Sequence, residues 1–196
     1  QAGWTTKSSE FLEKEQLKWG SLLFHFGILA VLGGHFSGLL VPKEWFNAVG
    51  VTDEMYHAAA VGGGGVAGLA TLAGILFLTV RRFSNARVSS VSSFGDKLVV
   101  VVLLAEIVVG IAGTASGLLP GGAGFDYRET IAPWLRGLLI FTPDKTLMSS
   151  VPFVFRAHIL LGLMIFAIWP FTRLVHVWSA PLEYISRAYI HYRTKI

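Results

Sequence analysis

The chain contains no cysteine. That absence excludes disulfides, thiolate catalysis, an iron–sulfur cluster held by this chain, and covalent haem attachment through a CxxCH motif. Charge is the second scarcity. Asp, Glu, Lys and Arg make up 14% of the 196 residues, against about 25% in an average soluble domain. The length alone suits one or two soluble domains, but so few charges cannot cover such a surface. What is present instead is apolar: 53% of residues are hydrophobic and the mean hydropathy is +0.60. Lipid is therefore the expected solvent, and the backbone must satisfy itself within helices or a closed barrel.

Four apolar runs reach the roughly 20 residues that cross a hydrocarbon core. They lie at about 17–41, 57–80, 98–119 and 153–177. The runs are continuous rather than alternating, which favours helices over barrel strands. The expected fold is all-α: an integral membrane helical bundle of four transmembrane helices plus a short interfacial helix, with residues 1–196 as a single membrane domain.

The connections differ in character. Residues 1–16 are mixed in charge and read as an exposed amphipathic lead-in. The first loop carries Lys43, Glu44, Asp53 and Glu54. The second has Arg81, Arg82, Arg87 and Lys97 against Asp96, and the tail 178–196 has Arg187, Arg193 and Lys195 against Glu183. The positive-inside rule places the second loop and the tail in the cytoplasm, and loops one and three outside. No signal-peptide pattern and no soluble domain is apparent. In loop three, Ile131, Trp134, Leu135, Leu138 and Leu139 share one helical face. The spacing predicts an amphipathic segment over about 128–141 lying on the outer membrane surface.

Six histidines are present, and four of them, His25, His35, His158 and His176, fall inside the first and fourth spans. A polar group at that depth is costly and usually functional; the plainer role is a hydrogen bond between helices. Their depths separate the two readings. The first span runs inside to outside, so His25 is inner and His35 outer, about 15 Å apart along a helix. The fourth span returns, so His158 is outer and His176 inner. The antiparallel arrangement pairs His25 with His176 and His35 with His158. Each pair can supply both axial ligands of one haem, with Pro170 available to kink the fourth span. A structural zinc site would need four converging ligands.

Arg156 and Arg173 precede the fourth-span histidines near the expected boundaries. They suit haem propionates, since Arg binds carboxylates bidentately, or simply anchor the helix at the interface. Gly27, Gly33, Gly34, Gly38 and the run Gly62–Gly65 permit close backbone approach to a flat macrocycle, or ordinary small-residue helix packing.

Several segments together resemble the gamma subunit of membrane-bound respiratory nitrate reductase. They are Leu23-Phe24-His25-Phe26-Gly27-Ile28-Leu29, Gly34-His35-Phe36-Ser37-Gly38, Phe155-Arg156-Ala157-His158 and Arg173-Leu174-Val175-His176-Val177-Trp178-Ser179. Arg81-Arg82-Phe83-Ser84, Pro170-Phe171-Thr172-Arg173 and Pro181-Leu182-Glu183-Tyr184 belong to the same likeness, which covers essentially the whole chain. That family is a dihaem cytochrome b of the prokaryotic cytoplasmic membrane. The resemblance implies two haem b groups, quinol as substrate oxidised near the outer face, and electron flow to an iron–sulfur beta subunit and then a molybdenum alpha subunit at the cytoplasmic face. Its implied ligands are the same pairs, His35 with His158 on the outer haem and His25 with His176 on the inner. The chain is then an electron-transfer subunit, not itself catalytic for nitrate. Quinone and membrane lipid are expected partners, and nucleic acid is not.

The quinol pocket is expected between the outer haem, the end of span one and loop one, with Ser37, Gly38, Tyr56 and His57 as candidates. The chain departs from the family in three places. The family usually has a further span ahead of Trp4. Met55 stands where some members carry a lysine implicated in quinol binding, with Tyr56 or His57 as substitutes. Glu106 sits mid-span, as part of a proton path or as a hydrogen-bonded neutral acid. Ile185, Tyr189 and Tyr192 form a stripe in the basic tail suited to docking a partner or to binding anionic lipid. Two alternatives stand beside the main reading: a quinone-linked cytochrome b of another respiratory complex, such as one tied to sulfite reduction, and a non-haem transporter-like bundle with proton-carrying histidines.

Overall fold

The computed structural model describes residues 13–116 and 125–178. Among these, the elements are helical throughout: α1 (Glu15–His35), α2 (Lys43–Ala48), α3 (Asp53–Ser84), α4 (Ala86–Ser90), α5 (Phe94–Ser116), α6 (Ile131–Leu139) and α7 (Phe153–Ile168). Four helical stretches are long and apolar enough to cross a membrane: Glu15–Leu40, Asp53–Ser84, Phe94–Ser116 and Phe153–Phe171. The chain is an all-α membrane bundle. Its outward side chains are those of a protein in lipid: Phe26, Leu29, Leu160 and Phe166 are each at least 64% exposed.

Local chemistry fixes the helix ends. Thr52 caps α3, its hydroxyl accepting from the Met55 N–H at 3.3 Å. Asn85 ends α3 and caps α4, accepting from the N–H groups of Arg87 and Val88. Before α5, Ser93 and Asp96 form a reciprocal capping box, with both bonds at 3.1 Å. The helices in the first two connections, α2 and α4, are too short to carry a readable apolar period. The third span of the sequence reading ran to residue 119; residues 117–124 lie outside the described residues, as do 1–12 and 179–196, which hold most of the lead-in and tail.

The spanning helices pack in chain order: α1 on α3, α3 on α5, α5 on α7. Glycines set the first of these contacts. A Cβ on Gly20 would stand 3.0 Å from Phe77 Cβ, and Cβ atoms on Gly27 and Gly74 would strike the backbones of Thr71 and Phe24. These positions decrease on one helix as they increase on the other, so α1 and α3 are antiparallel with their backbones nearly touching. Between α3 and α5 lies a core of Ile75, Val99, Val100 and Ile107, flanked by Phe24, Leu72, Leu103 and Ile111.

Two segments differ from the regular helices that the sequence suggests. After His35 the chain widens into a π turn, Phe36–Leu40, a form that often marks functional sites. The fourth span does not run as one kinked helix from 153 to 177. Its α-helix stops at Ile168, Trp169–Phe171 tightens to a 3-10 turn, Thr172 is extended, and Arg173–Val177 forms a separate 3-10 turn. Pro170 lacks an N–H and clashes with the preceding turn, so here it ends the helix rather than bending it. Thr172 then starts the last turn, its hydroxyl accepting from Leu174 N–H at 3.4 Å. His176 therefore reaches its place through a helix break, not through five continuous turns from His158.

The predicted surface segment over 128–141 is helical only at Ile131–Leu139. Residues 127–130 form a turn instead, because the side chains of Asp126, Tyr127 and Arg128 are engaged in tertiary contacts.

Candidate functional site: two facing histidine pairs

His25 and His35 both project from α1 toward the returning fourth span. The His35 and His158 rings lie with centroids 5.9 Å apart and planes at 33°. The His25 and His176 rings lie 6.1 Å apart with planes at 72°. This spacing has a specific meaning. A metal–imidazole nitrogen bond is about 2.0–2.1 Å and the ring centre lies about 1.1 Å further, so two trans imidazoles on one metal stand about 6.3 Å apart. Both pairs match it.

Ring orientation also fits. The Nδ1 of His25 lies 2.7 Å from the Ser21 carbonyl, that of His35 lies 2.8 Å from the Val31 carbonyl, and that of His176 lies 2.6 Å from the Arg173 carbonyl. A carbonyl only accepts, so in each case Nδ1 carries the proton and donates. Nε2 then keeps its lone pair for a metal. His158 differs: its Nδ1 faces the Glu106 carboxyl at 3.3 Å.

Among the described residues no group of three or more His, Asp or Glu converges as a metal site. The donors come in twos. Two trans imidazoles complete the coordination of a metal only if the other positions are filled by something else, and a planar tetrapyrrole supplies four nitrogens itself. Backbone is available to border such a plane. Cβ atoms on Gly33, Gly34 and Gly62 to Gly65 would each meet nothing within 4 Å. The α1–α3 register places these two glycine groups opposite one another, at the depth of His35.

The arginine candidates separate. Arg173 is half-buried and lies 3.9 Å from Asp96, beside the His176 turn. Arg156 is exposed.

Of the quinol candidates, Gly38 is buried and a Cβ there would stand 2.7 Å from the hydroxyls of both Tyr56 and Tyr127. Those hydroxyls are 3.2 Å apart. Ser37 turns its hydroxyl back to the Gly34 carbonyl at 2.9 Å. His57 and Met55 are exposed on the first turns of α3. The structure thus brings Gly38 and Tyr56 together and leaves Ser37 and His57 outside their contact.

Sequence reasoning missed the groups around Tyr56. Arg128 stacks on its ring with 4.1 Å to the centroid. Arg128 also pairs with Asp53 at 3.0 Å and Asp126 at 3.4 Å. Lys43 joins Asp53 and Glu129, each at 2.9 Å. Hydrogen bonds to Glu129 and Asp53 raise the Lys43 ammonium above its usual range. Burial, together with the bond to Tyr56, raises the Tyr127 phenol. Both stay protonated across ordinary pH. The available signal was charge complementarity between two loops expected on the same side of the membrane.

At the opposite end, Arg81 is buried and pairs with Glu13 at 2.7 Å. Its neighbour Arg82 donates to the Ser92 hydroxyl at 2.9 Å and approaches Asp96 at 3.7 Å.

Among the described residues the structure defines a class: a helical membrane bundle with four long apolar helices and two facing histidine pairs at different depths. Comparison with known proteins narrows it. The nitrate reductase gamma subunit family model matches residues 1–195. The chain is 46% identical to the nitrate reductase gamma chain of Bacillus subtilis over 195 residues, covering all of this chain and 86% of that one. It is 36% identical to the respiratory nitrate reductase 2 gamma chain of Escherichia coli, covering 95% of this chain and 81% of that one. A nitrate reductase-like protein of Mycobacterium tuberculosis is 44% identical over 98% of this chain, which spans 30% of that longer protein. The chain belongs to the nitrate reductase gamma subunit family, a component of an oxidoreductase complex.

Proposed function

We propose that this chain is the dihaem cytochrome b anchor of a membrane-bound, quinol-oxidising nitrate reductase. The observation that carries the proposal is the pair of ring separations, 5.9 and 6.1 Å, each close to that of a bis-imidazole metal centre. Family membership supplies the complex in which such centres would work.

His35 and His158 would hold the haem nearer the outer face, and His25 and His176 the inner one. Each haem b, when bound, supplies one-electron redox chemistry. The residues supply position and insulation. The Nδ1 bonds of His25, His35 and His176 leave each Nε2 unprotonated, so that it could serve as a ligand. Arg173, beside the His176 turn, would be the candidate to pair with a propionate of the inner haem, and Arg156 the corresponding candidate on the outer side.

Quinol gives up two electrons and two protons. The Tyr56 and Tyr127 hydroxyls, packed on Gly38 of the π turn, would hydrogen-bond a quinol hydroxyl; Ser37 and His57 lie outside that contact and are the weaker candidates. Protons released there leave on the outer side while electrons pass inward, which charges the membrane without a pump. Electrons then reach an iron–sulfur beta subunit and a molybdenum alpha subunit docked at the cytoplasmic face. The excess of Lys and Arg in the second loop supports that orientation in the cytoplasmic membrane.

The direct test is a dithionite-reduced minus oxidised optical spectrum of the purified chain, with pyridine haemochrome quantitation. Two b haems per chain, re-reduced by a quinol analogue, are expected. A colourless chain from membranes never stripped or denatured overturns the proposal.

A further inference from the structure

Glu106 is a carboxylic side chain at the middle of α5, deep in the apolar part of the bundle. Its Oε2 is buried without a hydrogen-bond partner, and so is the Nδ1 of His158. The two groups face one another, with Oε1 3.3 Å from Nδ1, close enough to touch but not aligned as a hydrogen bond. Leaving a buried donor and a buried acceptor unmade is costly, and a small rotation of either side chain joins them.

The backbone around them is shaped for this contact. A Cβ on Gly110 would stand 2.8 Å from His158 Cε1, and a Cβ on Gly162 would stand 3.3 Å from Glu106 Oε1. Gly110 lies one turn beyond Glu106 on α5, and Gly162 one turn beyond His158 on α7. Each helix therefore presents a polar side chain followed by a glycine, and the two motifs interlock in antiparallel register. Each glycine clears the space its partner's side chain fills. The other three histidines donate Nδ1–H to a main-chain carbonyl within their own segment. His158 instead meets a carboxyl from another helix.

We infer that Glu106 is a positioning residue for the His35–His158 centre: its carboxyl oxygen accepts the Nδ1–H of His158, fixing the ring's tautomer and angle and raising its donor strength toward the metal. This rests on the haem-binding reading above. A second-sphere acceptor of this kind makes the bound imidazole more basic and favours the oxidised metal. The consequence is a lower reduction potential at this centre than the same two histidines would otherwise give.

The test uses the haem-loaded subunit in its native membranes, with redox titration followed at the alpha band of each haem. Glu106→Leu removes the acceptor in a shape the lipid environment tolerates. Glu106→Gln keeps an acceptor oxygen at the same reach. In E106L, the reduced-to-oxidised ratio of the His35–His158 haem at fixed poise is expected to rise by about threefold or more, the worth of one hydrogen bond, or that haem is lost while the other remains. E106Q is expected to restore wild-type behaviour. The His25–His176 haem is the internal control and should not move. An unchanged titration in E106L overturns the inference. So does an E106Q protein altered as much as E106L, or an equal shift of both haems. A wild-type protein with no haem overturns the underlying reading instead, and the two failures are distinct.

Discussion

His25 and His176 come from opposite ends of the chain, and their rings meet 6.1 Å apart at 72°, whereas the His35 and His158 rings lie at 33°. The angle between axial imidazole planes sets the splitting of the iron d orbitals in a low-spin ferric haem. Steeply crossed planes leave two of those orbitals nearly degenerate and give a highly anisotropic electron paramagnetic resonance signal. A haem held by His25 and His176, as proposed, is expected to show the larger highest g value. Potentiometric resolution of the two signals checks this, and identical g values would contradict it.

The four histidines should sort into two independent pairs. His35→Ala or His158→Ala is expected to remove one b haem and spare the other, and His25→Ala or His176→Ala the reverse. Haem-to-protein ratios near one in all four single variants, and near zero when one change from each pair is combined, are the predicted readings. The sites fail as assigned if His35→Ala and His158→Ala leave two low-spin haems intact.

Gly74 and Gly62 separate the close packing of α3 on α1 from the open space on α3 near His35. A Cβ on Gly74 would meet the Phe24 backbone, which cannot yield, while one on Gly62 meets open space. Gly74→Ala is expected to destabilise the bundle by about 1–3 kcal/mol, as overpacking does. In the haem-free chain, Gly62→Ala should be neutral or stabilising by up to about 1 kcal/mol through helix propensity. Thermal unfolding in detergent, followed by helical circular dichroism, distinguishes them.

Glu13 ties the start of α1 to the end of α3. Desolvation opposes its ionisation, but N–H groups of Gln16 and Leu17 and the Arg81 guanidinium outweigh it and hold the carboxyl below its ordinary range. A depressed folded value means that its stabilisation is present above the unfolded value of about 4.3. That contribution fades as pH falls through the folded value. Glu13→Gln is expected to lower the melting temperature at pH 7 and to lose that difference at the acid end. A constant difference across pH would assign the effect to packing.

Much of this arrangement was legible in the sequence because depth in a membrane is a one-dimensional quantity. Helical rise along two antiparallel spans was enough to match His25 with His176 and His35 with His158. What the sequence hid was where the chain departs from regular helix. The π turn at Phe36–Leu40 carries no sequence signal beyond its small residues. Pro170 was visible, but whether a proline bends a span or ends it depends on Thr172 capping a new turn. The cluster around Tyr56 depends on Lys43 and Asp53 meeting Asp126, Arg128 and Glu129 across the bundle, and pairings that distant leave no local period. Glu106 stood out as a mid-span acid, yet only the interlocked glycines show which histidine it faces.

The spanning helices pack in sequence, each on its predecessor, and α7 makes no comparable packing with α1; the histidines reach across that seam. This has a consequence for biogenesis. A bundle built in a row can assemble as it leaves the ribosome, since every new span finds its neighbour already inserted. Neither two-histidine centre exists until α7 arrives, however, and the second waits further, for the turn beyond Pro170. On the proposed reading, haem loading would therefore follow translation of α7, with the His35–His158 pair completed first. On the same reading, a cell short of haem would accumulate colourless but inserted protein whose α1 and α7 are not yet clasped together, and that species is the natural point for quality control to act.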